Sequence, residues 1–110
     1  MMRRKTDRVS PFALRVYDAL RAVPPGQVIT YAALGRRIGC RSPRAIGQAL
    51  RANPFAPDVP CHRVIASDLS LGGFQGQTKG GLLATKLRLL TTEGVRFKNG
   101  YLADPGRLIS

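Results

Sequence analysis

The sequence predicts a small, mostly α-helical domain with short β-strands, of the winged helix-turn-helix type. Two Ser-Pro pairs mark helix starts, a glycine-containing turn separates two short helices, and an Asn-Gly pair between apolar residues marks a hairpin near the C-terminus. The 110 residues are enough for one domain with one modest core. We expect residues 1–9 to form a basic disordered tail and residues 10–110 to form the domain.

The first helix begins at Ser10, which can cap the helix ahead of Pro11 at its first position. A Pro-Pro-Gly run at 24–26 ends it, and residues 27–29 read as a short extended link. Apolar residues recur at helical spacing and define the face that we expect to be buried. They are Phe12, Val16, Leu20 and Val23.

The second and third helices form the predicted helix-turn-helix. Thr30 can cap a helix over residues 31–38, and Ser42 followed by proline opens another that runs to about residue 52. The third helix is basic and would lie in a DNA groove if the motif binds DNA. An ordinary helical hairpin with a solvated basic face remains the alternative. The basic residues are Arg41, Arg44 and Arg51.

The second half of the chain begins with a loop over residues 53–60 that three prolines stiffen. We predict a strand over 62–66, a loop over 67–79 and a fourth helix over 81–93. Alternating apolar residues on either side of Asn99-Gly100 predict a hairpin, which would be the wing. The predicted apolar face of the fourth helix contains Leu82, Leu83, Lys86, Leu87, Leu89 and Leu90.

The charge of the chain points to a polyanionic partner. Lysine and arginine number 18 against 6 acidic residues, which gives a formal charge of +12. Nucleic acid is the usual partner of so basic a domain, although solubility or a bias of the host proteome would also raise the charge. No run approaches the roughly 20 apolar residues of a membrane helix, and no apolar stretch follows the basic N-terminus. We therefore expect neither a membrane partner nor secretion.

Cys61 is the candidate nucleophile because the only histidine, His62, is its neighbour. Glu93 could orient that histidine, which would give a Cys–His–Glu relay. On a strand the side chains of residues 61 and 62 would point to opposite faces, so a bridging water is expected. A buried, inert cysteine is the alternative. With Cys40 the chain has two cysteines, too few for a disulfide framework or a structural zinc site, so no metal is expected.

Five segments together carry a family resemblance. The Pro-Cys-His-Arg-Val motif at 60–64 resembles the active site of the O6-alkylguanine-DNA alkyltransferases. Four further segments resemble that family's DNA-binding domain in the same order, so the resemblance covers about residues 12–97. These segments lie at 26–31, 44–47, 51–54 and 89–94.

The resemblance implies a role for each matching residue. Cys61 would accept the alkyl group. His62, acting through a water molecule, and Glu93 would activate the Cys61 thiol. Asn53 would brace the active-site turn. Arg44 would enter the base stack, and Tyr31 would contact the rotated phosphate and the extruded guanine. The other residues that we expect at the DNA or substrate are Arg41, Gly47, Arg51, Arg63 and Phe74.

The implied reaction needs no cofactor. The target atom lies inside the duplex, so the base must be flipped out. The thioether product on Cys61 would not be hydrolysed, so each molecule would act once. Two departures stand beside the resemblance. We expect the family's additional N-terminal domain to be absent, as in the alkyltransferase-like proteins, and residues 71–79 to form a glycine-rich insertion at the expected base pocket.

Three hypotheses follow from these patterns. The first is a single-turnover repair alkyltransferase, a monomer that binds double-stranded DNA containing O6-alkylguanine. The second is a non-enzymatic lesion-binding protein that recruits nucleotide excision repair proteins. The third is a winged-helix transcription regulator, which leaves Cys61, His62 and Glu93 unexplained. We expect the protein at the nucleoid in the cytoplasm of a prokaryote, or in the nucleus of a eukaryote.

Overall fold

A computed structural model describes residues 9–55, 58–72 and 81–110 of the chain. The helices are α1 (Pro11–Arg21), α2 (Tyr31–Arg37), α3 (Pro43–Arg51) and α4 (Gly81–Thr92). The strands are β1 (Val28–Thr30), β2 (Val64–Ile65), β3 (Phe97–Lys98), β4 (Tyr101–Leu102) and β5 (Leu108–Ile109). Single 3-10 turns occupy Cys61–Arg63 and Pro105–Arg107.

The three helix starts that the sequence predicts are confirmed, each by a side-chain cap. The hydroxyl groups of Ser10, Thr30 and Ser42 each accept a hydrogen bond from the backbone N–H three residues on, at 3.0, 3.1 and 3.2 Å. Each cap satisfies a backbone donor that the first helical turn leaves unpaired. The caps therefore fix where α1, α2 and α3 begin.

A three-stranded parallel sheet, in the order β2-β1-β5, is the element that the sequence did not predict. Residues 28–30 form the central strand and are all buried, although we interpreted 28 and 29 as part of a link and Thr30 as a helix cap. Ile29 pairs with Val64 on one side and with Ile109 on the other. Strands of two or three residues are too short to show an alternating pattern, which is why β1 and β5 were not predicted, whereas β2 lies within the strand predicted over 62–66.

The predicted wing is confirmed as the antiparallel hairpin β3-β4. Asn99 and Gly100 have φ angles of 54° and 85°, as the two central residues of a type I′ turn require. Leu102 N–H donates to the Leu69 carbonyl at 2.8 Å, so the hairpin also holds the start of the loop that follows β2.

Two apolar clusters form the core. The larger one joins α1, α2 and α3 and contains Cys61, and the smaller one lies around Val28, Ile65 and Leu90. Val9, which we assigned to the tail, packs against the larger cluster, while residues 1–8 lie outside the described residues. Among the described residues no helix is long and apolar enough to cross a membrane.

Two local predictions are wrong. The strand predicted over 62–66 is reduced to Val64–Ile65, because a 3-10 turn precedes it and Arg63 N–H donates to the Pro60 carbonyl at 3.0 Å. Leu87, predicted on the inner face of α4, is 40% exposed. The buried stripe of α4 instead runs through Lys86 and Leu90, four residues apart, which places Leu87 beside it.

Candidate active site and DNA-binding surface

Cys61 begins the 3-10 turn and is only 7% exposed. The segment that leads to it is held by Asn53. The Asn53 amide donates to the carbonyl of Val59 at 3.1 Å and accepts from the N–H of Phe55 at 2.8 Å. The loop between α3 and Cys61 is thus tied to the end of α3, where we expected Asn53 to brace it.

The surroundings of Cys61 keep its thiol protonated at rest. Burial raises the pKa of Cys61 above its usual value of 9.0, although a hydrogen bond with the Asn53 side chain and the positive charge of Lys86 oppose the rise. A thiol is a poor nucleophile compared with its thiolate. Any reaction at this sulfur therefore requires a group that accepts its proton.

His62 and Glu93 meet as the sequence predicts. His62 Nε2 lies 2.9 Å from Glu93 Oε2. Burial of the carboxyl group would raise its pKa, but hydrogen bonds from Arg63 and His62, and their charges, lower the pKa of Glu93 to about 2. A carboxylate can only accept, so Nε2 carries the hydrogen and Nδ1 is the nitrogen left to accept a proton. We call Cys61, His62, Arg63 and Glu93 the relay cluster.

Arg63, which we expected at the DNA or substrate, lies in the relay cluster and is hydrogen-bonded within the protein. Its Nε and Nη2 donate to the two oxygens of Glu93 at 2.9 and 2.7 Å, and its Nη1 donates to the Val23 carbonyl at 2.9 Å. Its side chain is 13% exposed. The 3-10 turn causes this placement, because it turns residue 63 back toward the end of α4.

Lys86 is the site residue that the sequence analysis missed. It is fully buried, and its ammonium group donates to the Val64 carbonyl at 2.7 Å. Burial lowers the pKa of Lys86 to about 8, and an ionised Cys61 would raise it, which shows that the two charges interact. The available signal was a single charged residue in the middle of the leucine face of α4.

Tyr31, the first residue of α2, lies near enough to Cys61 for the charges of the two side chains to interact. Burial raises the pKa of its phenol, and the charge of an ionised Cys61 adds to the rise. Gly72 lies against it, since a methyl group on Gly72 would sit 3.5 Å from Tyr31 Cε2 and 3.3 Å from the backbone nitrogen of Ala66. Asn53 and Tyr31, two of the predicted site residues, thus each interact with Cys61.

Arg41, Arg44 and Arg51 form a separate group that we call the basic face. All three are exposed, on α3 or immediately before it. Within the described part of the chain none of their side chains makes a hydrogen bond or an ion pair. Gly47 lies on the same helix, and a methyl group added there would meet no described atom within 4 Å.

Two further predictions concern residues or groups at the site. Phe74, which we expected to stack on a flipped base, lies outside the described residues. Within residues 9–55, 58–72 and 81–110, no cluster of three or more His, Cys, Asp or Glu could hold a metal ion.

Comparison with known proteins gives consistent matches. Residues 11–95 match the family described as 6-O-methylguanine DNA methyltransferase, DNA binding domain. A DNA base-flipping protein of Thermus thermophilus is 56% identical over 86 residues, which are 78% of this chain and 54% of that protein. A methylated-DNA–protein-cysteine methyltransferase of Methanothermobacter thermautotrophicus is 46% identical over 81 residues, 74% of this chain and 43% of the relative.

The chain therefore spans about half the length of the curated relatives that it matches. A solved structure of S. pombe Atl1 in complex with damaged DNA containing O6-carboxymethylguanine is similar over 99% of both chains. The TM-score is 0.77 at 27% identity. The predicted winged helix-turn-helix class is thereby confirmed, and the resemblance drawn from the five sequence segments is confirmed over most of the chain. The chain belongs to the family of the 6-O-methylguanine DNA methyltransferase DNA-binding domain.

Proposed function

We propose that the protein binds double-stranded DNA containing O6-alkylguanine, flips the damaged base out of the duplex and transfers its alkyl group to Cys61. The observation that carries this proposal is the relay cluster: a buried cysteine beside a histidine whose Nε2 is held by an ionised glutamate. A merely structural cysteine does not need such a neighbour. The family match supplies the substrate class.

The proposed transfer balances as a single displacement. The Cys61 proton passes to His62 Nδ1, directly or through a water, while the sulfur attacks the alkyl carbon. The carbon–O6 bond breaks, its electron pair stays on the guanine, and the guanine takes a proton from water at N1, while the imidazolium returns its proton to the solvent. Glu93 stabilises the imidazolium that forms. The positive charge of Lys86 stabilises the thiolate in surroundings where burial otherwise disfavours it.

The basic face provides the DNA contacts in this proposal. The exposed guanidinium groups of Arg41 and Arg51 would neutralise phosphates, and Arg44, near the start of α3, would enter the base stack. The phenol of Tyr31 would contact the extruded nucleotide, since it lies close enough to Cys61 for their charges to interact. Flipping is required because O6 of guanine is enclosed in the duplex.

The experiment that tests the proposal is intact-mass spectrometry after incubation with an oligonucleotide duplex that carries O6-methylguanine. We expect the protein to gain the mass of one methylene, because a methyl group replaces the thiol hydrogen, and we expect the gain on the Cys61 peptide. Cys61→Ala should gain nothing, and Cys40→Ala, at the other free cysteine, should gain as much as the wild type. No mass gain despite tight lesion binding would exclude the transfer.

The second candidate function is lesion recognition without transfer, in which repair proteins are recruited to the bound site. The observation that favours it is the match to S. pombe Atl1 over 99% of both chains, in a structure that holds damaged DNA. A protein of this type would bind O6-methylguanine DNA more tightly than undamaged DNA and stay unmodified. The Cys61→Ala variant would then behave like the wild type in every assay.

A further inference from the structure

The residues at 104–109, which we call the C-terminal strap, lie beyond the family match that ends at residue 95. They are nevertheless built into the sheet, because Leu108 and Ile109 of β5 pair with Val28 and Ile29 of β1. Ahead of β5, the Asp104 carboxylate accepts a hydrogen bond from the Gly106 N–H at 2.9 Å and caps the 3-10 turn. The strap therefore delivers the next residue, Arg107, to the start of β1.

The guanidinium group of Arg107 lies between two glycines that have positive φ angles. Its Nη1 donates to the Gly26 carbonyl at 3.0 Å. A methyl group on Gly26 would lie 3.1 Å from that nitrogen and 3.3 Å from the carbonyl oxygen of Glu93, and one on Gly94 would lie 3.4 Å from Nη2 of Arg107. Arg107 thus contacts the turn before β1 and the turn at which α4 ends.

Glu93 belongs to that second turn. The Val95 N–H donates to Leu90 and the Gly94 N–H donates to Thr91, both at 2.9 Å, which makes Glu93 the C-cap residue of α4. A C-cap residue moves when the helix end moves, and the Glu93 carboxylate moves with it. Its separation from the histidine therefore depends on where this helix end is held.

The parallel sheet determines the position of His62, the other member of the His62–Glu93 pair. His62 lies in the 3-10 turn that leads directly into β2, and β2 pairs with β1. Both residues of the pair are therefore positioned relative to β1. The histidine is connected to β1 through β2, and the end of α4 is connected through Arg107 to the Gly26 turn, which precedes β1. Without the Arg107 contact, the end of α4 would be held by its own backbone hydrogen bonds and by the side-chain hydrogen bonds of Glu93 with His62 and Arg63.

We propose that Arg107 is a positioning residue that acts through the backbone of Gly26, Glu93 and Gly94 to keep the Glu93 carboxylate in hydrogen-bond reach of His62. The C-terminal strap is then part of the active-site support and not only an extra edge of the sheet. The consequence for alkyl transfer rests on the proposed function, while the structural consequence can be measured without DNA.

The first measurement is ¹⁵N NMR of the imidazole ring, which is unambiguous because His62 is the only histidine. The Glu93→Gln variant serves as the reference, because it gives the ring signals of a His62 that has lost its carboxylate partner. We expect Arg107→Ala to move the signals toward that reference and Arg107→Lys to restore most of the wild-type position. Arg88→Ala, which removes an exposed arginine of α4, is the charge-matched control. Ring signals that stay at the wild-type position in Arg107→Ala would overturn the proposal.

The second measurement compares transfer with binding. We expect Arg107→Ala to slow methyl transfer to Cys61 by roughly tenfold, because a small displacement of a proton-relay group has a large effect on rate. Affinity for the lesion duplex should change by less than about twofold, since Arg107 is not on the basic face. An unchanged transfer rate would contradict the positioning role. A wild type that transfers nothing would defeat the proposed function alone, and the NMR result would still decide the role of Arg107.

Discussion

Arg63 and the arginines of the basic face show how differently one residue type is used in two regions of this molecule. In the relay cluster, three nitrogens of Arg63 donate to partners within the protein, and Glu93 accepts from both Arg63 and His62. On the basic face, Arg41, Arg44 and Arg51 remain exposed without a described partner. The first region uses its charges to hold a buried thiol site together, and the second leaves its charges available for a polyanion.

The largest difference that we predict between the two regions is in stability. Arg63→Met should lower the free energy of unfolding by about 3 kcal/mol or more, because the nearly buried Glu93 loses its paired charge. Arg44→Met should change it by less than about 0.5 kcal/mol, since that side chain is exposed. Urea unfolding of both variants measures the contrast. Arg63→Lys, which keeps the charge but not the paired geometry, should fall between them. Equal effects at residues 63 and 44 would refute the distinction.

The relay cluster should also make the fold sensitive to acid. The pKa of Glu93 is about 2 in the folded protein against a usual value of 4.5. Because the folded value is the lower one, this contribution is complete above pH 4.5 and is lost as the pH falls toward 2. The ionised Glu93 thus contributes up to about 3 kcal/mol to the free energy of unfolding.

Comparison of unfolding free energies at pH 6 and pH 3 tests the acid effect. The wild type should lose more stability over this interval than Glu93→Gln, which has no carboxyl group to protonate. Asp58→Asn, at an exposed acidic residue, is the control and should follow the wild type. A Glu93→Gln variant with the same pH dependence as the wild type would show that the ion pair does not contribute in this way.

The sequence was sufficient to predict the exposed arginines of the basic face, but it predicted only some of the contacts in the relay cluster, and the reason is physical. Caps, turn glycines and exposed charges are local signals, so α1, α2, α3 and the hairpin could be predicted. The His62–Glu93 contact could be predicted because a histidine that acts as a base commonly has a carboxylate that orients it. The places of Arg63 and Lys86 did not follow, because they depend on the 3-10 turn and on the rotation of α4. No sequence pattern of a few residues records either feature.

The parallel sheet escaped prediction for a related reason. Its strands have two or three residues each and come from distant parts of the chain, so they are stabilised by pairing and burial and not by local propensity. This matters for the site because the turn that contains His62 leads into β2, which pairs with β1, and Arg107 contacts the turn before β1.

The salt dependence of DNA binding should also differ between variants of the basic face and variants of the relay cluster. Each phosphate contact contributes about 0.9 to the slope of log K against log salt concentration. We therefore expect Arg41→Ala and Arg51→Ala each to reduce that slope by about 1 and to weaken binding to damaged and undamaged DNA alike. Arg63→Lys should leave the slope unchanged, because its guanidinium group is already engaged. A reduced slope in Arg63→Lys would return Arg63 to the DNA-facing set that the sequence suggested.

The smallest predicted effect on stability is the gain from Gly47→Ala on α3. Glycine inside a helix costs roughly 0.5–1 kcal/mol relative to alanine, and the added methyl group would meet no described atom within 4 Å. The fold alone therefore favours alanine, and a close approach of DNA to this part of α3 is what would favour glycine. Thermal unfolding should show a more stable variant, whereas a titration with the lesion duplex should show weaker binding. If Gly47→Ala gains stability and binds as well as the wild type, the backbone of α3 at residue 47 does not lie against DNA.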